Sequence, residues 1–159
     1  MAKIIADFAS RNVLWFLQAT VRAAAMLLVS GLATGAHGES AFRSGMKSYQ
    51  RHDFVAAIQG FEQAVQQAPR VSRFHHWLGK AYGRLAQHSN WLRTLTLAKQ
   101  AKRALETAVE LDPNNAAALA DLLSYYEQAP SFLGGDEAKA ETLRQRLATL
   151  KPGTERRKP

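Results

Sequence analysis

The chain has 159 residues, with 21 Lys and Arg against 13 Asp and Glu for a net charge of +8, and it has no Cys. This length suits one domain, and 47% hydrophobic with 21% charged residues is the balance of a folded rather than a disordered protein. The lack of Cys excludes a disulfide scaffold, Cys-ligated zinc, iron–sulfur clusters and thiol catalysis, while the positive balance favours anionic partners.

Residues 1–38 differ in texture from the rest. Lys3, Arg11 and Arg22 stand against a lone Asp7, and an apolar stretch runs from Ala23 to Ala33. The run Ala23 to Val29 has the length of a signal-peptide apolar region, and Ala36 and Gly38 supply small residues for cleavage before Glu39. A membrane-spanning helix from Val13 to Ala36 is the competing reading. It places Gln18 and Arg22 near mid-bilayer, where an Arg costs about 3 kcal/mol. A mitochondrial presequence is a third. Each sets residues 1–38 apart from a folded domain over 39–152 and a basic tail over 153–159. The expected location is periplasmic or secreted in a bacterium, with inner-membrane anchoring by an uncleaved helix as the alternative.

Within the domain, Ala41, Phe42, Met46 and Tyr49 predict a short first helix that closes in the turn Gln50-Arg51-His52. Asp53 stands as N-cap to a second helix, in which Phe54, Ala57, Ile58, Phe61, Ala64, Val65 and Ala68 share one face and Pro69 is the stop. Phe74, Trp77, Leu78, Ala81, Tyr82 and Leu85 mark a third helix. Leu105, Ala108 and Val109 end a fourth at Leu111-Asp112-Pro113. The stretch Trp91, Leu92, Leu95 and Ala98 keeps the helical period, which predicts an early start to helix four after a Ser89 or Asn90 cap and about twenty residues in all. Leu119, Leu122, Leu123 and Tyr126 form a fifth helix. After a loop over 129–136, Ala140, Leu143, Leu147 and Leu150 form a sixth. Helix pairs recurring at a near-regular spacing imply an all-α solenoid, in which stacking supplies the core that no single pair encloses.

These residues resemble the tetratricopeptide repeat family. Gly45, Tyr49, Asp53-Phe54, Ala57, Phe61, Ala64 and Pro69 fall at or beside the motif positions of a first repeat. Leu78-Gly79, Tyr82, Ala101, Ala108 and Leu111-Asp112-Pro113-Asn114-Asn115 match a second, and Leu122, Tyr126, Ala140 and Pro152 a third. The resemblance implies a right-handed α-α superhelix of three helix pairs over 39–152. Pro69 to Pro113 spans 44 residues and Pro113 to Pro152 spans 39, against a family period of about 34. Expanded repeats of this kind, with a Pro and a Gly-Gly pair in the third, look like those of secreted bacterial tetratricopeptide proteins.

Motifs for catalysis are missing from the sequence: there is no phosphate-cradling glycine loop, no nucleophile elbow and no His pair at i, i+4 around a Glu. The expectation is a protein without catalytic, metal or cofactor sites. His75 and His76 are adjacent on a helix, point about 100° apart and do not chelate one ion together. Glu106 and Glu110 share a face with Lys102 and Arg103, which reads as a solvated, salt-bridged surface. Gly134-Gly135 reads as a loop before an Asp136 N-cap rather than as an anion nest.

The charge pattern stands out. Between Glu62 and Glu106 the residues Arg70, Arg73, Lys80, Arg84, Arg93, Lys99, Lys102 and Arg103 meet no acid. Arg73, His76, Lys80 and Arg84 form a stripe on helix three apart from its apolar stripe. The resemblance implies that first helices line a concave groove, so Phe42, Met46 and Tyr49 would give it an apolar end, the basic stripe its middle, and Ala117, Ala120 and Ser124 a small-residue end. Such a groove suits an extended peptide or partner-protein segment with an acidic group. The same residues taken as core and solvated surface are the bland alternative. The rival function is polyanion binding by the basic stretch and the tail Arg156-Arg157-Lys158, with anionic lipid head groups favoured over nucleic acid for an exported chain. A small-molecule substrate is not expected, membrane contact through the N-terminus belongs to the anchored alternative, and the assembly state is a monomer or weak homo-oligomer.

Overall fold

A computed structural model describes residues 38–150 of the chain. The expected targeting segment, apart from Gly38, and the basic tail lie outside the described residues. Those residues are all-α, without a strand. Helix α1 covers residues 38–50, followed by α2 (Phe54–Gln67), α3 (Ser72–Gln87), α4 (Trp91–Leu111), α5 (Ala116–Gln128), a 3-10 turn (Ser131–Leu133) and α6 (Glu137–Leu150). Gly38 already belongs to α1, one residue ahead of the boundary expected from sequence.

Side chains that satisfy orphan amides set most of the starts. The Asp53, Asn90, Asn115 and Asp136 carboxyl or amide oxygens accept from the N–H groups of Ala56, Arg93, Ala118 and Lys139 at 3.0 to 3.1 Å, as N-caps do. Between α1 and α2 the chain reverses within three residues. His52 adopts φ 61°, and the Asp53 N–H returns to the Ser48 carbonyl at 3.0 Å. A left-handed residue without a glycine costs about 1 kcal/mol, which the closing hydrogen bonds offset. Gly134, at φ 90°, ends the 3-10 turn where a side chain would be strained.

Each helix packs antiparallel on the next in the chain, and the odd-numbered helices also meet one another. The Phe42 ring of α1 stacks on Phe74 of α3 at 5.0 Å, Tyr49 meets Trp77 edge-on at 5.3 Å, and α3 reaches α5 through His76 and Asp121. Phe61, Phe74 and Leu119 are the largest fully enclosed side chains, each contributing about 1.5–3 kcal/mol of burial. One apolar cluster runs from Ala41 to Ala104, and a second begins at Leu105 and includes Leu119, Leu122, Tyr126, Ala140 and Leu143.

The same contacts recur from pair to pair. A methyl group at Gly45 would meet Phe61 and the Ala57 carbonyl, and one at Gly79 would meet Leu105 and the Ala101 carbonyl. The Tyr82 hydroxyl donates to Glu62, and the Tyr126 hydroxyl donates to Glu106 at 2.7 Å, both across a separation of 20 residues. Burial and the carboxylate beside each push both phenols well above their ordinary pKa. Ala57 is the fourth residue of α2, but its counterpart Ala101 is the eleventh of α4. The surplus in the middle pair is therefore about two additional turns at the front of α4, in line with the early start expected for that helix.

The α1–α2 seam gives a sharp test. A Cβ on Gly60 would lie 2.7 Å from both the Cα and the N of Gly45, backbone atoms that move only with their helix. Gly60→Ala is expected to lose about 1–3 kcal/mol in urea unfolding. At Gly83, inside α3, a Cβ meets nothing within 4 Å, so Gly83→Ala should gain about 0.5–1 kcal/mol from helix propensity. Equal stability of Gly60→Ala and the parent chain would rule out backbone-to-backbone contact between α1 and α2.

Candidate functional site

A cleft of about 460 Å³ opens where α3, α4 and α5 diverge. Its floor is made of small and apolar groups, Gly79, Gly83, Ala98, Ala101 and Leu105, because α3 and α4 come too close at Gly79 to admit a side chain there. Its walls are polar: Lys80 and Arg84 from α3, Asp121, Ser124 and Gln128 from α5, and Tyr49 from α1. Leu133 closes one end, and the Tyr125 hydroxyl holds that turn in place by donating to the Leu133 carbonyl at 2.9 Å.

Asp121 organises the electrostatics. Its Oδ2 accepts from His76 Nε2 at 2.7 Å and lies 3.4 Å from Lys80 Nζ. A carboxylate only accepts, so Nε2 of His76 carries the proton. Burial pushes the Asp121 carboxyl up, but the His76 hydrogen bond and the Lys80 charge outweigh it and leave the group below its ordinary value. The Lys80 ammonium also lies 5.0 Å from the centre of the Trp77 ring. Arg84, exposed at the end of the stripe, hydrogen-bonds to Gln87 at 3.3 Å and makes no ion pair among the described residues. Two cations and one carboxylate line the cleft, so it keeps a positive surplus.

Of the ten groove candidates read from sequence, Tyr49, Lys80, Arg84 and Ser124 line this cleft together, while Ala117 is exposed outside it. Ser124 Oγ accepts from Gln128 Nε2 at 2.6 Å. Ala120 is exposed on α5, outside the lining. His76 sits behind the wall with its side chain 7% exposed, so its pairing with Asp121 is a structural tie shut off from the cleft. Met46 is half-buried against the core. Phe42 lies in the core at 5% exposure and offers no anchor to a ligand: its ring is covered by Phe74 and by the Arg73 guanidinium, 4.6 Å from the ring centre. Arg73 itself pairs with Glu39. The basic stripe of α3, which has no local acid, thus takes its carboxylates from α1 and α5.

Sequence reading passed over Asp121, Tyr125, Gln128 and Leu133. Gln128 was within reach, since it extends the Ala120 and Ser124 stripe by one more turn. Asp121 was not, because only the packing of α5 against α3 brings it to Lys80. Among the described residues no group of three or more His, Asp or Glu is placed to hold a metal ion, and no buried side-chain polar atom lacks a partner. His75 hydrogen-bonds to the Pro69 carbonyl at 2.8 Å, apart from His76. Lys102 lies 3.8 Å from Glu106. No family model matches this chain, and no curated protein sequence matches it.

The lowered Asp121 carboxyl has a consequence for stability. A depressed group stabilises the fold above its unfolded value and loses that contribution as pH falls through the folded one. The stability gap between the parent chain and Asp121→Asn, measured by urea unfolding, should shrink below about pH 4, near the ordinary aspartate value. A gap that is the same at pH 3 and pH 6 would show that Asp121 is not held by His76 and Lys80.

Proposed function

We propose that the chain is an exported interaction module of the tetratricopeptide type, a right-handed solenoid of the pairs α1–α2, α3–α4 and α5–α6. Its odd-numbered helices line a groove for an extended segment of a partner protein, and it acts as a scaffold in the bacterial envelope or outside the cell, without catalysis. The observation that carries this reading is the cleft, whose wall residues come from α1, α3 and α5 while small residues open its floor. Recurrence of the tyrosine–glutamate tie at the same separation supports a repeated unit.

The positive surplus favours a segment with an acidic side chain opposite Arg84. Apolar side chains of the ligand would rest on Ala98, Leu105 and Leu133, and backbone groups would meet Ser124, Gln128 and Tyr49. Polyanion binding at this site is the weaker reading, because Lys80 is already engaged by Asp121 and Arg73 by Glu39.

A photo-crosslinking residue placed at Ser124, inside the cleft, and at Arg146, exposed on α6, tests the reading in cells. A discrete protein adduct is expected from Ser124 and not from Arg146. Arg84→Glu should weaken that complex by roughly fivefold, the share of an exposed charge contact of about 1 kcal/mol. Equal adduct patterns from the two positions, or affinity unmoved by Arg84→Glu, would overturn the groove assignment.

A further inference from the structure

The two additional turns of α4 carry side chains that the cleft does not use. Trp91 is 72% exposed and Leu92 61% exposed, at the start of the helix. Down the outward face of α4, Leu92, Thr96, Lys99 and Arg103 follow one another at i+4, i+3 and i+4, with Arg93 and Gln100 alongside, and all are exposed. Arg93, Lys99 and Arg103 make no ion pair among the described residues. The first turn of α4 contains no acid. An Arg near a helix N-terminus runs against the helix dipole, and a large exposed apolar pair runs against solvation, so both choices cost the free protein stability.

We propose that this face of α4 docks on an anionic lipid bilayer, with Trp91 and Leu92 entering the head-group region and Arg93, Lys99 and Arg103 resting on lipid phosphates. The exposures decide between a bilayer and a protein surface. Side chains this free of neighbours stand out from the molecule, and a protein partner would need matching pockets for them. A fluid bilayer closes around whatever enters it. Trp suits the boundary because its ring is apolar and its N–H stays hydrated. The cations supply the second signal that apolar insertion by two residues needs, each worth roughly fivefold in binding to an anionic surface. This docking is independent of the cleft and of how residues 1–38 behave.

The lack of Cys allows a local readout in the full chain. An environment-sensitive fluorophore is attached to Thr96→Cys, or to Ala120→Cys, exposed on α5. Each protein is mixed with vesicles of phosphatidylcholine alone or with one-third phosphatidylglycerol, at about that fraction to mimic an anionic leaflet. The Thr96 probe should shift to the blue and become protected from acrylamide on the anionic vesicles only, while the Ala120 probe stays accessible. Adhesion through residues 23–33 alone would leave both probes accessible and would overturn the proposal. Trp91→Glu with Leu92→Glu, and separately Arg93→Glu with Lys99→Glu and Arg103→Glu, should each raise the lipid needed for protection by about tenfold or more with helicity unchanged. Protection that survives both variants, that appears without vesicles as protein concentration rises, or that a soluble acidic polypeptide or an oligonucleotide produces equally would also overturn it, the second pointing to a second copy of the chain and the third to a general polyanion surface.

Discussion

Helix α3 must meet four neighbours at once, and that demand governs what it carries. Phe74 faces Phe42 of α1, the Tyr82 hydroxyl reaches Glu62 of α2, Gly79 lies against Leu105 of α4, and His76 and Lys80 hold Asp121 of α5. Every one of these contacts uses a different side of the helix. That leaves little of its circumference for solvent, which explains a helix with a polar-looking sequence whose buried residues include a histidine. Apolar burial supplies most of the energy, while the hydrogen-bonded groups fix which turn of one helix sits beside which turn of the next.

The polar ties are placed where slippage between helices would be cheapest. A face of alanines and leucines accepts a neighbour at several heights, whereas a tyrosine donating to a glutamate accepts one. Tyr82 to Glu62 and Tyr126 to Glu106 lock α3 onto α2 and α5 onto α4 in matching registers. Ser72 adds a further lock, donating to the Ala108 carbonyl at 2.7 Å and accepting from Asn115 Nδ2 at 3.3 Å, so that the starts of α3 and α5 are tied through the end of α4. Beyond these ties α6 is held more loosely. Only Ala140 and Leu143 of its residues are buried, and its outer side carries the Arg144 cluster with Glu127, Glu137 and Glu141. Exposed pairs of this kind contribute little to stability.

Charge in this protein has two scales. Along the chain the middle third is basic without interruption, which suggests a strongly cationic surface. In space Arg73, Lys80 and Lys102 lie beside Glu39, Asp121 and Glu106, and the cleft retains a surplus of one positive charge. Of the cations left without such partners among the described residues, Arg84 lies in the cleft, while Arg93, Lys99 and Arg103 gather on the outer face of α4 beside Trp91 and Leu92. The same basic stretch thus divides into a neutralised inner part and an open outer part.

Much of the helical framework was legible in the sequence, because caps, stops and the 3.6-residue period are local. Asp53 and Asn90 begin their helices where their side chains reach the third amide onward, and the length of α4 followed from the unbroken period after Asn90. Helical spacing alone set Lys80 and Arg84 side by side, since residues that share a helix face stay together wherever the helix goes, whereas Tyr49 and Ser124 join them only through the packing of α1 and α5 beside α3. Spacing did not reveal which face is covered. Phe42 and His76 fall on the expected stripes yet are buried, because the aromatic ring of one is sandwiched by α3 and the imidazole of the other is capped by α5. Asp121 acquires its role only when two helices 45 residues apart in sequence lie side by side. Local hydrogen bonding and periodicity are properties of a segment and can be read from it. Burial and charge pairing are properties of the distance between segments, and only the packed chain sets that distance.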